Sequence, residues 1–260
     1  MSELFARVSF PVLALAAVVL FVLVSLSLLF AIQKLLKRLH FDNHTDFGEI
    51  FSDAIGVIFS LILAFVTISV WENYNNTSDV VSREASTLHS MYRNLDSYPP
   101  GIRDAGQQDL RDYVREVIDV EWPMLANDQR DPLTYPLLRK VNALIVDYKP
   151  TTLGELPVQQ EMLRLLSTYR ELRRDRVEGA KGLLDSAMWT VLLTSCFITI
   201  VYSCMFKMQD IRIHAFMLSS LAASLGLIFA LLLSYSSPYS GPSAISPEPF
   251  VHLLDYYWAH

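Results

Sequence analysis

Four runs of about 20 apolar residues constrain this chain more than any other feature of its sequence. They cover 10–32, 50–71, 187–206 and 211–235. A helix of that length crosses the hydrocarbon of a bilayer. Lipid offers no water to backbone N–H and C=O groups, so each run has to satisfy its own hydrogen bonds as a helix. The pattern predicts transmembrane helices at 8–34, 48–72, 185–207 and 211–236. The loops at 34–47 and 207–210 are short, so the spans pair as two hairpins. The long polar segment 73–182 falls between the second and third spans. The expected fold is all-α: four spans, an inserted helical soluble domain built partly from extensions of the second and third spans, and a tail at 237–260.

Charge is segregated as this plan requires. Only 18% of the residues are charged, against about 25% in an ordinary soluble domain. Arg212 is the one Lys or Arg in 211–260, whereas 77–181 is densely charged. The bilayer is therefore the first expected partner. A net charge of -6 without a basic tail argues against nucleic acid. Both cysteines, Cys196 and Cys204, fall in one apolar run, which leaves the polar segment no disulfide framework or thiolate metal site. Arg7 is a weak basic region ahead of an overlong apolar stretch, so no cleaved signal is expected.

The polar segment reads as helix throughout. The second span continues without a breaker to Tyr98-Pro99-Pro100-Gly101. Leu110, Tyr113, Val114, Val117, Ile118 and Trp122 recur at helical spacing over 103–125, where Pro123 should kink or end the helix. A third helix is expected over 132–146. The segment DYKPTTLGELP reads as a loop, and a fourth helix is expected from Val158, with Met162, Leu165, Tyr169, Leu172 and Val177 on its buried face. Trp71, Trp122, Trp189 and Tyr235 suit a membrane interface, with the bundle core as the alternative for Trp122. The apolar residues of the tail predict a short docked helix from Pro249. Basic residues of short loops favour the cytoplasm. Lys34, Lys37, Arg38, Lys207 and Arg212 therefore place the polar segment and both termini outside, against the opposing Arg170, Arg173, Arg174, Arg176 and Lys181.

The second span carries the most chemistry. At about 100° per residue, Glu49, Asp53, Gly56, Ser60, Ala64, Thr67 and Trp71 share one narrow face. A carboxylate inside a span is costly and calls for water or a partner. In one reading the stripe lines a pore, and rings of Asp53 and Glu49 in an oligomer attract cations. In the other it is a helix-packing seam, with Asp53 paired to Lys37 or Arg38. The loop HFDNHTDFGE offers His40, Asp42, His44, Asp46 and Glu49 as weak metal candidates, without a recognised ligand spacing. Ser219, Ala223, Gly226 and Ala230 mark a packing stripe on the fourth span. His89 reads as a surface histidine. No nucleophile–base set, phosphate loop or HExxH motif is present, so neither an enzyme nor a cofactor is expected.

Three motifs, in order, carry a resemblance. AFVTISVWENYNNTSDVVSREASTLHSMYR ends a span on Phe and Trp and continues through Glu84-Ala85, Leu88 and Tyr92. Tyr113 is followed by Glu121-Trp122-Pro123. The last span leads into SSPYSGPSAISPEPF, with Pro238, Tyr239, Gly241, Pro247 and Phe250. The chain resembles the bestrophin-like membrane proteins of bacteria and plants, from the second span to the C-terminus. It departs from them at Ser236-Ser237, where the family tends to carry an acid. The resemblance implies an oligomer, a pentamer by analogy with bestrophins, in a bacterial inner membrane with a pore lined by the second span. Glu49 and Asp53 would favour cations as the permeating ions. The alternative reading is a non-conducting scaffold or sensor whose helical domain binds a partner.

Overall fold

A computed structural model describes residues 9–39, 45–127, 134–180, 184–206 and 210–258. Among them all regular structure is helical. Nine α-helices follow one another: α1 (Phe10–Leu39), α2 (Thr45–Asn94), α3 (Pro100–Glu116), α4 (Trp122–Ala126), α5 (Thr134–Val146), α6 (Glu155–Gly179), α7 (Ser186–Met205), α8 (Ile211–Tyr235) and α9 (Glu248–His252). Segments of α1, α2, α7 and α8 are long and apolar enough to cross a membrane, which fits a multi-pass membrane protein. The chain divides into two compact units.

The apolar unit comprises Glu3–Asn73 and Gly182–Ser236. Its core gathers Leu29 from α1, Phe59, Leu63, Val66 and Val70 from α2, Leu192, Cys196 and Ile200 from α7, and Leu218, Leu225 and Phe229 from α8. The small-residue stripe of α8 works as predicted, as a close approach. A Cβ on Gly226 would lie 2.9 Å from Val18 Cα and 3.0 Å from Ala17 O, so α1 and α8 touch backbone to backbone there. Asp185 and Asp210 cap α7 and α8, accepting from the Met188 and Arg212 amides at 2.8 Å. Outside its core this unit displays Leu20, Leu23, Phe65, Phe197 and Phe216, all more than half exposed, the surface lipid covers.

The charged unit comprises Tyr74–Lys181 and Ser237–His260. Its core takes Val81, Leu88 and Met91 from α2, Leu110, Tyr113 and Val114 from α3, Val141 and Ile145 from α5, and Met162, Leu166 and Tyr169 from α6. Two boundaries differ from the sequence expectation, and a third falls outside the described residues. The helix before Pro123 passes through a π-helical turn, Val117–Glu121, before α4. There the Trp122 amide reaches the carbonyl of Val117, five residues back, and Pro123, which has no N–H to donate, follows in the first turn of α4. Next, α6 begins at Glu155 and not at Val158, because proline is tolerated in a first helical turn. Glu155 also ties the preceding loop, accepting from the Tyr148 hydroxyl at 2.8 Å and the Thr151 amide at 2.7 Å. Finally, the start of the third predicted helix at Pro132 lies outside the described residues.

The tail docks within this unit. Gly241, at φ 94°, takes the left-handed conformation open to glycine in the turn after α8. Then α9 and the π-helical turn Leu253–Tyr257 bury Phe250, Leu253 and Trp258 in the core. Trp122 belongs to the same core at 7% exposure; the interfacial expectation for it is corrected in favour of the bundle core.

Candidate functional site

On α2 the packed seam and the polar stripe are different faces. Phe59, Leu63, Val66 and Val70 are buried. About a quarter turn round the helix, Asp53, Ser60 and Ala64 are exposed, Trp71 is 53% exposed, and Gly56 and Thr67 are half-buried. A Cβ built on Gly56 meets nothing within 4 Å. Both hydroxyls are satisfied within the helix: Ser60 donates to Val57 O at 2.9 Å and Thr67 to Leu63 O at 2.7 Å. Their second lone pairs stay open on the stripe. Asp53 makes no ion pair among the described residues, so the pairing to Lys37 or Arg38 weighed above is not formed there. Asp46 and Glu49 lie at the start of α2, with side chains outside the described residues. His40, Asp42 and His44 also lie outside them.

A second cluster sits in the charged unit, where sequence reasoning placed no site. Arg176 of α6 is fully buried and bonds two equally buried carboxylates. Its Nε donates to Glu84 Oε2 at 2.6 Å, and its Nη2 donates to Glu121 Oε2 at 3.0 Å and to Glu84 Oε1 at 3.3 Å. Arg173, three residues earlier on α6, donates to the other Glu121 oxygen at 2.8 Å. The guanidinium of Arg176 lies over Trp122, 5.5 Å from the ring centroid, and over Phe250 at 5.7 Å, favourable cation–π placements. Tyr239 donates to the Arg176 carbonyl at 3.3 Å, and the Trp122 indole donates to Ile245 O at 3.1 Å.

The electrostatics are those of a charge-paired quartet in which Arg176 Nη1 is buried without a hydrogen-bond partner among the described residues. Burial pushes the Glu84 carboxyl above the usual carboxylate range, against the pull of Arg176. Burial works against the Arg176 charge too, but Glu84 and Glu121 outweigh it and hold the guanidinium firmly protonated. Burial raises the neighbouring Tyr113 and Tyr169 phenols, leaving them neutral. Two positive and two negative charges cancel, so the cluster has no charge to offer an ion. Its chemistry is cross-linking: α2, the π-helical turn, α6 and the tail meet on one guanidinium.

Sequence phase could have found the quartet. Arg176 recurs four and seven residues after Leu172 and Tyr169, on the apolar face of α6. Glu84 sits in step with Val81 and Leu88 on α2. Opposite charges in buried phase on two helices have to meet. His89 also departs from its surface reading: it is half-buried, and its Nδ1 accepts from the Trp258 indole at 3.3 Å.

A family model described as the bestrophin-like domain matches residues 19–250. No curated protein and no solved structure matches the chain. The three motifs that carried the resemblance largely converge on the quartet: Glu84, Tyr113, Glu121, Trp122, Tyr239 and Phe250 all lie on or around Arg176.

Proposed function

Since the chain belongs to the bestrophin-like family, we propose that it is an oligomeric ion channel of the membrane, cation-preferring, whose pore is built by repeats of the α2 stripe. One observation carries the reading. The stripe is polar or small, includes a carboxylate with no ion pair among the described residues, and is a different face of α2 from the buried seam of Phe59, Leu63, Val66 and Val70. A carboxylate left so in lipid is costly, and a shared water-filled axis removes the cost. Asp53 rings then concentrate cations against a low-dielectric wall. Ser60 and Thr67 offer oxygen lone pairs to a partly dehydrated ion, and Gly56 and Ala64 leave it room. The charged unit and the termini stand on one side of the membrane, outside by the basic residues of the short loops.

Reconstitution in planar bilayers with asymmetric salt tests this. A unit charge about 4 Å from an ion in a water-like dielectric contributes roughly 1 kcal/mol, about fivefold in local ion concentration. Asp53→Asn is expected to lower the cation-over-anion permeability ratio by about that factor or more, with assembly unchanged, and Asp53→Lys to turn selectivity toward anions. Unchanged reversal potentials in well-assembled Asp53→Asn remove Asp53 from the pore. Absence of current from well-assembled wild type favours the scaffold.

A further inference from the structure

The C-terminal segment ends its docked path on one hydrogen bond whose acceptor exists in a single protonation state. The Trp258 indole is 3% exposed, stacks on Tyr92 with ring centroids 4.5 Å apart and planes 11° apart, and donates to His89 Nδ1 at 3.3 Å. An indole N–H only donates, so Nδ1 has to carry a free lone pair. A doubly protonated imidazole turns that acceptor into a second donor facing the first. We propose that this contact is an acid-released latch, in which protonation of His89 frees the segment around Trp258 from α2 and uncovers the His89–Tyr92 face.

The surroundings support the direction. The charged group acting on His89 is Arg93, one turn along α2, and it opposes a second positive charge. From the segment, Tyr257 faces the imidazole at 4.7 Å between ring centroids, and Trp258 donates to it. From α3, Arg111 lies over the Tyr92 ring at 5.4 Å and bonds its hydroxyl. The Tyr257 ring would suit a cation, but Arg93 and the Trp258 N–H both oppose one, and among the described residues no carboxylate acts on His89. Partial burial, with Arg93 second, holds His89 below the usual imidazole range. The docked form therefore prefers neutral His89, and docking is complete above the free imidazole pKa of about 6.5. It weakens by up to about tenfold per pH unit below that, or about thirtyfold at pH 5. The segment's own histidines are His252, which pairs with Glu248 at 3.5 Å on an exposed face, and His260, which lies outside the described residues; the His89→Asn variant retains both as background.

The full chain in detergent micelles gives the test. The fluorescence of Trp258 is isolated as the difference between the wild type and Trp258→Phe, and its quenching by acrylamide is read from pH 8 to pH 5. The expected result is a Trp258 shielded at pH 8 and quenched at pH 5. Expected too is a His89→Asn variant, whose amide oxygen stands where Nδ1 does, shielded at both. A wild-type Trp258 still shielded at pH 5 overturns the latch, and so does a His89→Asn variant that opens over the same pH range as the wild type.

Discussion

Replacing Arg176 by methionine tests the quartet directly. The methionine stem fills much of the same space, so the change is chiefly electrostatic. It leaves Glu84, which is fully buried, without the cation it bonds, and leaves Glu121 with Arg173 alone. Breaking a buried ion pair from one side costs about 3–5 kcal/mol. At about 2–4 °C per kcal/mol for a chain of this size, the melting temperature should fall by roughly 6–20 °C. Glu84→Gln should be milder, about 1–2 kcal/mol: it removes a carboxylate whose ionised form burial already disfavours, and Arg176 keeps Glu121. The double variant holds no unbalanced charge, since Glu121 and Arg173 still neutralise each other, and should melt above Arg176→Met alone. Thermal unfolding of the purified protein in mild detergent, followed by tryptophan fluorescence, measures all three. A melting point for Arg176→Met within about 2 °C of wild type, or a double variant no more stable than it, would refute this account.

Gly226→Ala should destabilise the apolar unit by about 1–3 kcal/mol, because its Cβ meets the backbone of Val18 and Ala17, which cannot swing aside. Gly56→Ala, whose Cβ meets nothing, should leave the melting point unchanged or raise it slightly, since alanine suits a helix interior better than glycine. Hydrogen bonds from Thr151 and Tyr148 hold the Glu155 carboxyl down to about 2. Its folded value lies below the unfolded one, so the loop it ties should stay ordered above about pH 4.5 and loosen as pH falls toward 2. A lower protection factor for the Thr151 amide, its exchange rate taken against the intrinsic rate at the same pH, at acid pH in the wild type and at neutral pH in Glu155→Gln is the check.

The apolar runs were legible because lipid allows few alternatives. The fourth run coincides with α8, and the third with α7 to within a residue at each end. The second is harder to bound by hydropathy, since α2 starts before the run, at Thr45, and continues to Asn94 through residues whose polarity says nothing about where a helix stops. The stripe on α2 followed from period alone. Which way it faces did not, because rotation of a helix is set by partners that the pattern does not name. Arg173 and Arg176 were read as charge near a span, a statement about position along the chain, when their meaning lay in their phase on α6. Glu84 and Glu121 were visible only as motif letters. His89 was misjudged because its partner, Trp258, is 169 residues away.

The π-helical turn Val117–Glu121 has a consequence for the history of this chain. Such a turn is an α-helix that has taken in one extra residue, and that residue swings everything after it by about 100°. Tyr113 and Val114 are buried before the turn, Val117 and Glu121 at its two ends, and Trp122 and Leu125 after it. An ancestor one residue shorter here, even with the same Glu-Trp-Pro letters, would have aimed its glutamate elsewhere and left Arg173 and Arg176 short of a counter-charge. The insertion and the arginines therefore depend on one another. A deletion anywhere in 117–121 should turn Glu121 away from Arg173 and Arg176 and be better tolerated alongside the loss of charge at 176.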